Sequence, residues 1–172
     1  DLIAVALGFA AIISTFTMTA SKDGYSHFNP SVTIGFFAAR KLSLLQTIFF
    51  LISQFIGALL GYLICSHTVP AMLNGFSEKY QRMANYGMPI FSSEIGNITI
   101  YLFEFIGTMI LTSFISALHA SKKLHSYAPI VGAIYGLSII TFGNFHSICL
   151  NPLRFLTPAL FQTNFNGIAA FT

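Results

Sequence analysis

The sequence predicts an all-α membrane protein in which two half-length helices enter a helical bundle from opposite faces. Three observations predict this fold: the composition, four long apolar stretches, and two short apolar stretches that each begin with Asn-Pro. Of the 172 residues, 55% are hydrophobic and 8% are charged, and the mean hydropathy is +0.74. Soluble domains carry about 25% charged residues, so we expect this chain to lie in a lipid bilayer.

The length, the charge and the cysteine content narrow the class of protein. The chain is expected to form a single domain, 1–172, and, because it opens on Asp1 without an initiator Met, to be a fragment or a processed piece. A net charge of +3 is too small to indicate nucleic-acid binding. The two cysteines, Cys65 and Cys149, lack metal-binding or redox spacing and are interpreted as apolar thiols. We expect no cofactor, no metal ion and no nucleic-acid partner.

The long apolar stretches are candidate membrane spans, since a spanning helix needs about 20 mostly apolar residues. They cover residues 2–20, 43–65, 98–118 and 127–145. Two further apolar segments, 29–39 and 151–161, are about half the spanning length, which is typical of re-entrant helices. Three candidate spans separate the two half-length segments. Because that number is odd, the segments are expected to begin on opposite faces of the bilayer.

The basic residues predict an orientation, because Lys and Arg favour cytoplasmic loops. The side of the first half-length segment carries most of them, namely Lys22, Arg40, Lys41, Lys122 and Lys123. The opposite side carries Lys79, Arg82 and Arg154. We therefore expect Asn29 on the cytoplasmic face and Asn151 on the outer face, with loop 66–97 outside.

The Asn-Pro pairs have a physical meaning at the start of a helix. Asn is a preferred N-cap residue, because its side chain accepts a hydrogen bond from the first turn, and Pro is favoured at the next position. A single pair is also compatible with an ordinary turn, but two pairs that open half-length segments favour paired half-helices. Irregular backbone at membrane depth requires protein or a water-filled cavity beside it. Because each helix N-terminus carries about half a positive charge, we expect a pore that admits neutral molecules.

The motifs "SHFNPSVTIG", residues 26–35, and "CLNPLRFLTPALF", residues 149–161, resemble the two pore motifs of the aquaporin, or major intrinsic protein, family. In that family Asn-Pro-Ala is followed first by Val-Thr and, in the second motif, by Arg. The resemblance runs from the family's second helix through its outer half-helix. It implies an aquaporin-like right-handed helical bundle, a homotetramer, and first and sixth helices that lie outside this sequence.

The resemblance also implies the residues of the pore. The pore motifs are Asn29, Pro30, Ser31, Asn151, Pro152 and Leu153, with the two asparagines as paired donors. The outer selectivity constriction comprises Arg154, Ile148, Phe9 and Ile140, with Leu7 or Gly8 as alternatives to Phe9 and Ile139 as an alternative to Ile140.

Two polar residues outside the constriction are matched as well. His27 is expected to line the cytoplasmic vestibule, although a loop histidine that makes only local hydrogen bonds is an open alternative. Glu104 is expected to brace a re-entrant loop by accepting its backbone N–H groups. A proton-relay role for Glu104 is the alternative.

The sequence also departs from the family pattern. Ser31 and Leu153 stand where Ala is usual, and Leu153 is bulky enough to narrow or displace the junction of the half-helices. Glycerol-conducting relatives usually carry Asp after the Arg, where this chain has Phe155. Strict water channels usually carry His near Ile140, where the wall here is apolar. Neither pattern is complete.

These observations predict a passive channel for water and other small neutral solutes that excludes ions and protons. The alternatives are a glycerol facilitator, a poorly conducting scaffold that keeps the fold, and a proton-coupled transporter built around Glu104. An enzyme is not expected, since the sequence has no triad-like constellation, no phosphate-binding loop and no familiar metal-ligand spacing. The expected partners are the lipid bilayer and the solute, in the plasma membrane or an intracellular membrane.

Overall fold

The regular structure of the described chain is entirely helical, which confirms the predicted all-α class. The computed structural model describes residues 2–20, 26–74, 96–120, 124–143 and 147–162, without the side chains of 124–126. The helices are α1 (Leu2–Ala20), α2 (Pro30–Ala38), α3 (Leu44–Met72), α4 (Asn97–Ala120), α5 (Leu124–Phe142) and α6 (Pro152–Gln162). Most of the basic residues that predict the orientation, and most of loop 66–97, lie outside the described residues. The orientation therefore stays a prediction.

Three helices, α1, α3 and α4, are long and apolar enough to span a membrane. The apolar part of α5 that is described, 127–142, is shorter, although the helix begins earlier than predicted, at Leu124. Helix α3 is longer than predicted, because the polar residues after Cys65 continue it. Ser66 Oγ donates to the Leu63 carbonyl at 2.9 Å and Thr68 Oγ1 to the Ile64 carbonyl at 2.8 Å. Hydroxyls that bond to their own helix need no water, so these residues do not end it.

Helices α1 and α5 approach each other closely through glycines of α5. A Cβ atom at Gly132 would collide with Ser14 Oγ and with the backbone carbonyl oxygen of Ala10. A Cβ atom at Gly136 would lie 3.1 Å from the Ala10 Cβ atom. Small residues allow helices in a membrane to pack backbone against side chain in this way. Because α1 precedes α2 and α5 precedes α6, this helix contact brings the two half-length helices into the same bundle.

Substitution of Gly132 by Ala is expected to lower the stability of the full-length protein in detergent. The added methyl group meets backbone, which cannot rotate away, and overpacking of this kind costs about 1–3 kcal/mol. The matched control is Gly57→Ala on α3, where an added Cβ atom meets nothing within 4 Å. Thermal unfolding measured for both variants checks the expectation. Equal unfolding temperatures would contradict the close α1–α5 contact.

Candidate functional site

Both Asn-Pro pairs cap a short helix in the same way. Asn29 has extended backbone, with φ −145° and ψ 119°, and its Oδ1 accepts a hydrogen bond from the Ser31 N–H at 2.9 Å. Asn151 Oδ1 accepts from the Leu153 N–H at 3.0 Å. In each case Pro occupies the first helical position, where its missing N–H leaves no hydrogen bond unmade. Local cap chemistry therefore fixes where α2 and α6 begin.

The two caps also bind each other across the centre of the bundle. Asn29 Nδ2 donates to the carbonyl oxygen of Leu150, the residue before Asn151. Asn151 Nδ2 donates to the carbonyl oxygen of Phe28, the residue before Asn29, at 2.8 Å. These reciprocal bonds hold the N-termini of α2 and α6 together. The positive ends of the two helix dipoles therefore lie side by side.

A buried carboxylate supports the loop that leads into α6. Glu104, 5% exposed, accepts the N–H of Cys149 at Oε1 and the N–H of Leu150 at Oε2, each at 2.7 Å. Leu150 has a φ of 54°, in the left-handed region that costs a residue with a side chain about 1–2 kcal/mol. The Leu150 side chain packs on Gly107, where a Cβ atom would lie 2.5 Å from Leu150 Cδ2. Two charge-assisted hydrogen bonds and this close packing offset the unfavourable backbone of Leu150.

Arg154 lies where the predicted constriction residues meet. Its Nη1 donates to the Ile148 carbonyl oxygen at 2.9 Å and to Cys149 Sγ at 3.2 Å. The Arg154 Cζ atom lies 5.0 Å from the centroid of the Phe9 ring, within the range of a cation–π contact. The alternative Leu7 is 63% exposed. Of the residues considered on α1, Phe9 is therefore the one that contacts the guanidinium.

The two candidate constriction residues of α5, Ile140 and its alternative Ile139, differ in burial. Ile140 is 42% exposed, whereas Ile139 is 8% exposed and belongs to the buried cluster that contains Ile148. The constriction role of Ile140, with Ile139 as the alternative, stays a prediction.

His27 is buried and contacts side chains of both α2 and α3. Its ring centroid lies 4.6 Å from that of Phe36 and 5.1 Å from that of Phe50. Its carbonyl oxygen accepts a hydrogen bond from Gln54 Nε2 at 2.8 Å. Burial, with a smaller contribution from His119, lowers the pKa of His27 to about 4. The imidazole is therefore neutral at neutral pH.

Two cavities of very different size lie at the junction of α2 and α6. The larger, about 740 Å³, is bordered by Asn151, Leu153 and Arg154. The smaller, about 20 Å³, is bordered by Asn29 and by Tyr135 of α5, and His27 and Phe28 border both cavities. The side chain of Leu153, 9% exposed, packs beside the junction while the reciprocal asparagine bonds are made.

A third cavity, of about 710 Å³, lies across the junction. Ser31, Leu150 and Pro152 border it, together with Asn151. The residue of the first motif that departs from the family pattern, Ser31, therefore faces a different space from Leu153.

Comparison with known proteins identifies the family. The model of the major intrinsic protein family matches residues 1–171. The chain belongs to this family. As a member with three helices apolar enough to span a bilayer, it is an integral membrane protein.

Relatives and a solved structure agree with this membership. The chain is 27% identical to nodulin-26 of Glycine max over 95% of its own length and 57% of that protein. It is 27% identical to aquaporin TIP2-1 of Zea mays, over 96% of its own length and 63% of that protein. The aquaglyceroporin of Plasmodium falciparum has a TM-score of 0.79 at 23% identity, covering all of this chain and 72% of the other. The chain thus spans less than two thirds of these two relatives, and its fold is that of the solved aquaglyceroporin.

Proposed function

We propose that the protein is a passive transmembrane channel for water and other small uncharged solutes, and that it excludes ions and protons. The observation that carries the proposal is the reciprocal pairing of Asn29 and Asn151 at the N-termini of two half-length helices. The positive helix ends and the Arg154 guanidinium disfavour cations, while amide and carbonyl groups serve neutral polar molecules. The names of the relatives, which include aquaporins, support the same class of activity.

Each residue of the site has a role in this proposal. The two asparagines hold the centre of the pore, and Arg154, Ile148 and Phe9 form the outer constriction, with Ile140 or its neighbour Ile139 in the apolar wall. His27 lines the cytoplasmic vestibule in its neutral form. Glu104 is a structural brace, because both of its oxygens accept backbone N–H groups. We propose that four copies assemble in the membrane, as the family resemblance implies.

Water permeability of the full-length protein tests the proposal. Vesicles that contain the protein are expected to shrink in a stopped-flow osmotic experiment faster than empty vesicles, with no accompanying ion conductance. The amount and orientation of the inserted protein are measured in the same preparation. Shrinkage at the rate of empty vesicles, with folded protein in the bilayer, would refute the channel.

A second candidate function is a membrane scaffold that keeps the fold without conducting. The observation that favours it is Leu153, whose side chain is 9% exposed and borders the larger cavity next to Arg154. A leucine at this position adds volume where the family usually has Ala. Under this hypothesis the side chain closes the path between Arg154 and the asparagines.

Substitution of Leu153 by Ala distinguishes the two functions. For an open channel we expect the water permeability to change by less than about twofold, because a neutral side chain that only borders the path adds no hydrogen bond. For a scaffold the same change is expected to create a permeability that was absent. The control is Leu160→Ala on the same helix, since the Leu160 side chain is 45% exposed. A gain in flux with Leu153→Ala alone would favour the scaffold.

A further inference from the structure

The side-chain amides of the two pore asparagines differ in their hydrogen-bond partners, although both residues cap a helix and bond to each other's loop. A side-chain amide has two N–H groups to donate. Asn29 gives one to the Leu150 carbonyl and the other to the Tyr135 hydroxyl oxygen, at 3.1 Å. Asn151 gives one to the Phe28 carbonyl. Asn29 is 2% exposed, whereas Asn151 is half-buried and borders the cavities on both sides of the junction.

Tyr135 lies at the narrow side of this junction. It is one turn from Val131 and one turn from Ile139, so the three residues share the inward face of α5. The cavity that Tyr135 borders with Asn29 and His27 has a volume of about 20 Å³, which is enough for about one water molecule. His27 also borders the larger cavity. Tyr135 thus borders the smallest of the three cavities described at the asparagines.

The Tyr135 hydroxyl accepts a hydrogen bond from an N–H group of Asn29 that would otherwise be available to a solute. A phenol oxygen accepts two hydrogen bonds and donates one. Because it accepts from Asn29, a molecule at the centre of the pore meets the second N–H of Asn151, which bonds to no other described residue, but not a second N–H from Asn29. The solute therefore passes a site with one amide donor and an aromatic wall.

We propose that Tyr135 is a specificity-determining residue of the pore. Its ring limits the space beside Asn29 to about the volume of one water molecule, and its hydroxyl takes the Asn29 N–H that would otherwise face the solute. This inference rests on the proposed channel function and narrows its substrate class to water-sized molecules. Glycerol is excluded at Tyr135.

Two substitutions separate the ring from the hydroxyl. Tyr135→Val removes both, and we expect glycerol permeability of vesicles with the full-length protein to rise about tenfold or more, the discrimination that a misfit of one methylene produces in a fitted site. Tyr135→Phe keeps the ring, so glycerol permeability is expected to stay at the low wild-type level. Tyr101→Phe is the matched control, since it removes a hydroxyl from a tyrosine of α4 that is 46% exposed.

A second measurement does not depend on flux. In solid-state NMR spectra of Tyr135→Phe, the side-chain amide resonances of Asn29 are expected to shift, while those of Asn151 stay in place. Unchanged Asn29 resonances would refute the hydrogen bond on which the proposal depends. Because this measurement uses Tyr135→Phe, it tests the proposal even if Tyr135→Val fails to fold.

The outcomes separate this proposal from the channel function. If the wild-type protein conducts water and Tyr135→Val admits no more glycerol than the wild type, Tyr135 does not determine specificity and the channel stands. If the wild type conducts nothing and Tyr135→Val conducts, Tyr135 restricts the path and the channel function of the natural protein is refuted. Absence of flux in every inserted variant would overturn both.

Discussion

Replacement of Glu104 by Leu is expected to unfold the centre of the protein and to abolish any permeability. The carboxylate accepts two backbone N–H groups of the loop before α6, each at 2.7 Å, at a site that is 5% exposed. Leu cannot accept them, and each buried donor left unsatisfied costs about 1–3 kcal/mol. The turn at Leu150, with its φ of 54°, also loses the bonds that hold it. The total is a large fraction of the stability of a typical domain, about 5–15 kcal/mol.

Thermal unfolding and permeability of the full-length protein check this expectation together. Glu104→Gln keeps one oxygen acceptor and is expected to fall between the wild type and Glu104→Leu in both measurements. Phe105→Leu, at a neighbouring position that is 54% exposed, is the control for a change on the same helix. A proton relay at Glu104 would instead give a stable Glu104→Gln protein that has lost its transport. Stability equal to that of Phe105→Leu for both Glu104 variants would exclude the brace.

The half-length helices were predictable because their starts depend on local chemistry. Segments 29–39 and 151–161 were predicted, and the helices are Pro30–Ala38 and Pro152–Gln162. An Asn cap and a following Pro act within three residues, so the sequence contains the whole signal. The end of α3 was missed for the opposite reason. Ser66 and Thr68 look like loop residues until their hydroxyls are seen to bond to their own helix.

Positions that depend on helix orientation were harder to predict. Helix α5 is apolar on most faces, so no polar stripe indicates which side lines the pore, and the sequence leaves both Ile140 and its neighbour Ile139 as candidates. Tyr135 was not identified, because its partner Asn29 lies 106 residues away along the chain. A signal was present: a tyrosine inside an apolar helix usually has a partner for its hydroxyl. Its i, i+4 spacing from Ile139 would have supported that inference.

Substitution of Arg154 by Val is expected to weaken the exclusion of cations strongly. Its guanidinium lies 5.0 Å from the Phe9 ring and is held by the Ile148 carbonyl at 2.9 Å. A monovalent cation at about 4 Å from this charge is repelled by about 4 kcal/mol at an effective dielectric constant of 20. That repulsion corresponds to about a thousandfold in rate. Cation conductance of planar bilayers that contain the full-length protein is therefore expected to rise by up to about this factor.

The charge and the geometry of Arg154 are separated by Arg154→Lys. An ammonium group keeps the positive charge, but it lacks the planar fork that bonds the Ile148 carbonyl and Cys149 Sγ and covers the Phe9 ring. If charge excludes cations, Arg154→Lys stays impermeable to them while Arg154→Val conducts. If the guanidinium acts as a steric barrier, water permeability rises in both variants and neither conducts ions. Unchanged conductance and unchanged solute selectivity in both variants would show that the constriction lies elsewhere along the path.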